Sequence, residues 1–347
     1  MMKTAQYAYL NTKTRILGRQ LFSPSDWEHM ASLPLEGLIE YLKGHGIDTI
    51  LDMLKHNNYH LLPAGNMDHL FIRQLLSEAR QLLRCLGGPA REMLKTWLMR
   101  FELQNLKTII RGKSLQHPSH EIQQVLLSLG SDQHLPLDEL LQAVDISEIL
   151  ILLERSTYAA IARYIQHQYD AKSDIFSLEA AINLRYYQLL QQRLQQLDRE
   201  EQKPLLQLHG LIIDQLNVLW ILRYRLYYNM SASHVFYLMA SGGHYLLPEQ
   251  LSQLCTIEDI SQLGAKLPPA LAKNFEQCTS LQETERQFDY LIIQQARRIL
   301  SQNPFSVAPA FAYLSLREKQ LGHCHALLKG RLMQLPASHF MDNYAML

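Results

Sequence analysis

Leucine, isoleucine and methionine recur at three- and four-residue spacing along most of this chain. The pattern is clearest over Ala79–Arg84, Met93–Arg111, Leu178–Leu197 and Ile212–Leu226. That spacing follows the α-helical turn, and the Leu, Gln, Ala, Glu and Arg filling these stretches are strong helix formers. Alternating β-branched runs of strand type are nearly absent, so the pattern predicts an all-α fold. Glycine and proline punctuate it at Gly87-Gly88-Pro89, Ser241-Gly242-Gly243 and Pro268-Pro269, which read as helix ends and turns. The glutamine-rich stretch Tyr186–Gln202 keeps its leucines in register and reads as an amphipathic helix.

The pattern also repeats itself. Phe101–Lys113 (FELQNLKTIIRGK) shifted by 112 residues meets Ile213–Arg225 (IDQLNVLWILRYR). Glu102 then falls on Asp214, Asn105 on Asn217, Ile109 on Ile221, Arg111 on Arg223 and Lys113 on Arg225. A shift of 218 places Lys329-Gly330-Arg331 on Arg111-Gly112-Lys113. Upstream, the segment opened by Asp26-Trp27-Glu28 recurs 112 residues on at Asp138, and a third version begins at Pro248. Two separate segments recurring at nearly one offset indicate three diverged copies of one helical unit. The expected boundaries are 1–118, 119–231 and 232–347, with the three units in a pseudo-threefold, funnel-like arrangement.

On a helix Glu102, Asn105, Leu106 and Ile109 share one face, so two polar groups sit on an apolar stripe. Buried polar groups need partners. The expectation is a structural network in which Asn105 and Asn217 hydrogen-bond neighbouring helix ends; the alternative is a partner contact. The third copy carries Gln320 and His323 in place of the acid and the asparagine. Each long helix closes on a basic pair: Arg111 and Lys113, Arg223 and Arg225, Lys329 and Arg331. Cations there offset the exposed carbonyls and the helix dipole, and these six residues are also the candidate partner-binding set. Gly112 and Gly330 are expected to end their helices in a left-handed turn. Tyr224 holds that place in the second copy, whose helix is expected to run on.

Charge and cysteine content narrow the function. With 33 basic and 33 acidic residues in 347 the net charge is zero, which disfavours a dedicated nucleic-acid surface and general attraction to anionic lipid. Four sparse cysteines with no Cys-x-x-Cys pair suit a reduced, cytoplasmic protein. The N-terminal residues lack a signal-type apolar run, and Leu211–Tyr228 is interrupted by Asp214, Gln215, Asn217, Arg223 and Arg225. Gly112-Lys113-Ser114 imitates a phosphate-binding loop, but the first glycine is replaced by Lys107 and the segment ends a helix. His323 and His325, two apart on a helix, diverge and make a poor metal pair. No catalytic, cofactor or metal set stands out.

LNTKTRILGRQLFS near the start, NLKTIIRGK, and PFSVAPAFAYLSLREKQLGHCHALLKGRL near the end resemble the C subunit of archaeal and bacterial V/A-type ATPases, the counterpart of the d subunit in the eukaryotic vacuolar enzyme. The resemblance covers essentially the whole chain; His323-Cys324 departs from the family's usual Asn-Leu. It implies a non-catalytic central-stalk component on the cytoplasmic face of the membrane rotor ring. Such a component is a socket for the central shaft that passes torque between shaft and ring and binds no nucleotide. A helical-repeat adaptor outside the ATPase is the alternative, though repeats of this length exceed those of ordinary helical solenoids.

Overall fold

The structure, a computed structural model, describes residues 2–47, 64–130, 133–168, 175–302 and 305–335. Among these residues every regular element is helical, as the periodicity predicts. In chain order the helices are α1 (Met2–Gly18), α2 (Pro24–Ser32), α3 (Leu35–Lys43), α4 (Ala64–Leu83), α5 (Gly88–Ser114), α6 (Ser119–Gln124), α7 (Leu137–Gln142), α8 (Ile146–Glu154) and α9 (Ala159–Gln168). They continue with α10 (Ile175–Gln195), α11 (Arg199–Leu222), α12 (Ala232–Tyr237), α13 (Pro248–Leu254), α14 (Leu263–Lys266), α15 (Pro269–Phe275), α16 (Leu281–Ser301) and α17 (Ala308–Leu332). A π-helical turn, Arg223–Tyr227, extends α11. Pro304 of the family-like PFSVAP segment lies outside the described residues.

Local chemistry sets several starts. Ser23 caps α2 in a capping box with Asp26, and Pro24 occupies the first turn, where a missing N–H costs nothing. Asp145 caps α8 by accepting the Glu148 N–H at 2.9 Å.

The contacts divide the chain into two units assembled from non-consecutive stretches. One comprises Met1–Arg91, Asp198–Leu208 and Gln282–Leu347; the other comprises Glu92–Leu197 and His209–Leu281. The first unit thus draws on all three sequence repeats. Its core helix is α17, packed against α4 and α1 and buried on every side from Ala308 to Arg317. Phe22, Trp27, Met30, Phe71 and Phe288 belong to the same unit's core. In the second unit α8, α9 and α10 pack in sequence, and the core includes Phe101, Leu106, Ile109, Ile182, Ile213 and Ile221. Arg199–Tyr227 is long and apolar enough to cross a membrane, yet 72% of its most apolar window is buried within the protein. It also buries Asp214 and Asn217, as a core helix with internal partners does.

The helix ends correct one expectation. Gly112 and Gly330 are not the left-handed residues; α5 and α17 run two residues past them. The left-handed turns fall at Gln116 (φ 57°) and Gln334 (φ 56°), 218 residues apart. Each closes a Schellman motif. His117 and Leu335 N–H donate to the carbonyls of Gly112 and Gly330, both at 2.9 Å, and Gln116 and Gln334 N–H donate to those of Lys113 and Arg331. The second copy reaches its left-handed residue at Asn229 (φ 52°), one residue later by the repeat, because the π turn inserts a residue. Gly112 serves packing instead: a Cβ there would lie 2.6 Å from the Ile122 side chain of α6.

Candidate functional site

The polar face of each long helix clasps the segment that leads into a short helix. In α5 the Asn105 side chain donates to the Leu127 carbonyl (2.9 Å) and accepts the Leu127 N–H (2.7 Å). In α11 Asn217 does the same with Ala240, at 2.8 Å both ways. An amide matches both groups of one peptide unit, so no buried backbone donor or acceptor is left over. One turn earlier, Glu102 accepts the His134 and Leu135 N–H groups at 2.7 and 2.8 Å. Asp214 accepts the N–H groups of His244, Tyr245 and Leu246 at 3.0, 2.8 and 3.1 Å. Burial pushes the Asp214 carboxyl up to about 6 against the pull of these donors. Glycine permits this approach: a Cβ on Gly243 would sit 2.2 Å from Asp214 Oδ1.

The third clasp reaches back to the start of the chain. Gln320 of α17 accepts the Phe22 N–H (3.2 Å) and donates to the Phe22 carbonyl (3.0 Å). Phe22, Leu135 and Leu246 are equivalent: each immediately precedes the N-cap of the next short helix, Ser23, Pro136 and Leu247 respectively. His323, in the asparagine position, packs its ring edge-on against Trp27 (5.9 Å, 80°). Burial pulls its imidazole down to about 4.

Beside this clasp lies a buried ionic network invisible in the repeat. Arg317 Nε donates to both Glu78 carboxylate oxygens at 3.1 and 3.2 Å. Its two other nitrogens reach the Gln20 and His45 carbonyls at 3.2 and 3.3 Å. Tyr313 donates to Glu78 at 2.6 Å, and burial, with Glu78 next, raises its phenol far above the ordinary range. Arg317 and Glu78 are essentially sealed from solvent, so each charge depends on the other.

The six basic residues separate into two kinds. Lys113 donates to the Leu141 carbonyl and Arg331 to the Ala31 carbonyl. Leu141 and Ala31 are the next-to-last residues of α7 and α2, whose final carbonyls lack partners within the helix. Arg225 turns to the Met230 carbonyl just beyond the π turn. Arg111, Arg223 and Lys329 instead face solvent; Arg111 forks onto Glu179 at 2.6 and 2.8 Å. Arg111, Lys113, Arg223 and Arg225 belong to one unit, Lys329 and Arg331 to the other.

Sequence periodicity finds Glu102, Asn105, Asp214 and Asn217. It misses Phe22 as a partner and the Arg317–Glu78 pair, because both join residues from opposite ends of the chain. Among the described residues no group of three or more His, Cys, Asp or Glu side chains is placed to hold a metal ion.

The sequence model of the ATP synthase (C/AC39) subunit family matches residues 10–342. The C subunit of the A-type ATP synthase of Methanocaldococcus jannaschii is 22% identical over 95% of this chain and 84% of its own length. The C subunits of the A-type enzymes of Methanosarcina barkeri and Archaeoglobus fulgidus are 21% and 22% identical, covering 94% and 96% of this chain and 89% and 94% of their own.

Proposed function

Because the chain belongs to the ATP synthase (C/AC39) subunit family, we propose that it is a non-catalytic central-stalk component of a V/A-type rotary ATPase. It acts as a socket that takes the end of the rotary shaft and couples it to the membrane rotor ring during ATP-linked proton or sodium transport. It sits at the cytoplasmic face of the membrane through protein contacts and binds neither nucleotide nor nucleic acid. The three repeats, 1–118, 119–231 and 232–347, act together in this role. The observation that carries the reading is a family match running almost from end to end, over residues 10–342. The recurring clasp supports it: polar side chains at equivalent positions brace the helix ends, as a part that transmits torque requires. Gly112-Lys113-Ser114 closes a helix rather than opening one, so it lacks the geometry of a phosphate loop.

Affinity purification from the native cell tests this directly. Ring and shaft proteins are expected in the eluate; their reproducible absence overturns the reading. The pure chain is expected neither to bind nor to hydrolyse ATP, and turnover lost on mutating one of its own residues contradicts the non-catalytic assignment.

A further inference from the structure

The ends of the long helices carry a second repeated feature, on the outside. Leu115, Tyr227 and Met333 are 63%, 68% and 62% exposed. They stand 112 and 106 residues apart, the offsets that relate the buried clasp residues. Single exposed apolar residues are ordinary on any surface. Exposure of a large apolar side chain at the same place in all three copies is a pattern, and it extends: Val125 and Tyr237, 112 apart, are 56% and 79% exposed. One turn before each apolar residue stands the exposed basic residue of its copy, Arg111, Arg223 or Lys329. Each pair therefore shares one helix face at i,i+4. The other basic residue of each copy, Lys113, Arg225 or Arg331, is spent on a backbone carbonyl, which ties down the helix end that presents the pair.

The three ends differ in detail. At the end of α5 the pair borders a groove of about 390 Å³ lined by Arg111, Gly112, Leu115, Ile122 and Val125. At the end of α11 aromatic rings take that role: Phe176 packs on Tyr228 at 4.9 Å, and Tyr227 stands exposed beside them. Arg111 is already neutralised by Glu179, with Nη2 2.6 Å from Oε1.

We propose that these three helix ends are docking points for repeated short segments of one protein partner, each segment presenting a carboxylate beside an apolar side chain. A surface repeated within one chain is matched by a partner that repeats its own element, and the basic-apolar pair selects its complement in charge and polarity. Resting on the socket reading, this assigns the three points to the membrane ring, the partner built of identical copies, rather than to the shaft. A lipid surface fits less well, because the chain as a whole carries no net positive charge.

The test uses the full chain with detergent-solubilised ring and, separately, purified shaft. L115Q/Y227Q/M333Q is expected to weaken ring binding by at least about tenfold while leaving shaft binding unchanged. R111Q/R223Q/K329Q is expected to weaken it several-fold and to flatten its salt dependence. R223Q and K329Q should account for most of that loss, since R111Q removes a charge already paired. All six residues lie on the surface, so circular dichroism and melting curves should match wild type; R223E/K329E provides a second variant in which the loss should deepen. Unchanged ring affinity in every variant, with wild type still binding ring and shaft, overturns this surface and leaves the socket reading standing. A wild-type chain that binds neither overturns both. Binding to anionic vesicles without ring, lost in these variants, reassigns the surface to lipid.

Discussion

The clasps of α5 and α11 and the clasp of α17 do the same work with different chemistry. In the first two a carboxylate gathers two or three N–H groups from a loop, and an asparagine one turn on takes both groups of one peptide. In the third a neutral amide takes both groups of Phe22. The difference follows from what each helix meets. A loop that offers several donors suits an anion; a peptide that offers one donor and one acceptor suits an amide. The partners of α5 and α11 lie 22 to 33 residues downstream, whereas Phe22 lies 298 residues from Gln320. Taken as an isolated loop, the longer closure costs about 2 kcal/mol more. The third joint has the Arg317–Glu78 network beside it, which the other two lack. The lesson is that a repeat conserves the position of a joint while its chemistry adapts to the segment that arrives there.

The largest expected break is in that network. Arg317→Leu leaves Glu78 charged and buried, and it should destabilise the α17 unit by about 3–5 kcal/mol. Arg317→Leu with Glu78→Leu should recover much of the loss. Hydrogen exchange of α4 and α17 amides checks this and separates that unit from the rest.

Acid should divide the two units next. His323 has its folded pKa lowered to about 4, first by burial. Its contribution is complete above the unfolded value near 6.5 and fades as pH falls towards 4. Asp26 acts in the same direction: burial pushes its carboxyl up, but hydrogen bonds from Ser23 and Tyr41 win and hold it below the ordinary range. That stability is lost as pH falls through the carboxylate range. In the other unit His209 also falls to about 4 by burial, but Asp214 opposes it. With its pKa raised to about 6, Asp214 contributes most below 4, and that contribution is lost as pH rises from 4 to 6. Between pH 6.5 and 4 the unit holding His323 should therefore loosen first, by roughly 2 kcal/mol for that residue. Exchange at several pH values, corrected for intrinsic rates, reads it out, and His323→Asn should narrow the gap. Equal loosening of both units contradicts the comparison.

Swapping the clasp chemistry sharpens it further. Gln320→Glu sets a carboxylate against the Phe22 carbonyl, and Glu102→Gln sets an amide N–H group against backbone donors. Each should cost about 2 kcal/mol, as should Asn105→Ala or Asn217→Ala, which strand a buried peptide unit. Loss of exchange protection at Phe22, Leu127 or Ala240 locates the damage. The smallest effect belongs to Arg111→Gln: its exposed pair with Glu179 should contribute less than about 1 kcal/mol to thermal stability.

The sequence by itself determined the helical class, because apolar spacing records which face of each segment turns inward. It also located Glu102, Asn105, Asp214 and Asn217, since a polar pair repeated on an apolar stripe marks buried groups that need partners. The basic pairs were equally legible, but not their division of labour. Whether Lys113 or Arg111 meets a carbonyl depends on which side of the helix end the next short helix passes, and local spacing carries no record of that. The left-handed turn was misplaced for a related reason. Gly112 is explained by the Ile122 side chain beside it, a contact that only packing creates, while Gln116 tolerates the turn. Pairing of Gln320 with Phe22 and of Arg317 with Glu78 was decided by tertiary structure alone. Their separations, 298 and 239 residues, match no period of the chain. A buried charge or amide takes its partner from whichever segment the fold delivers.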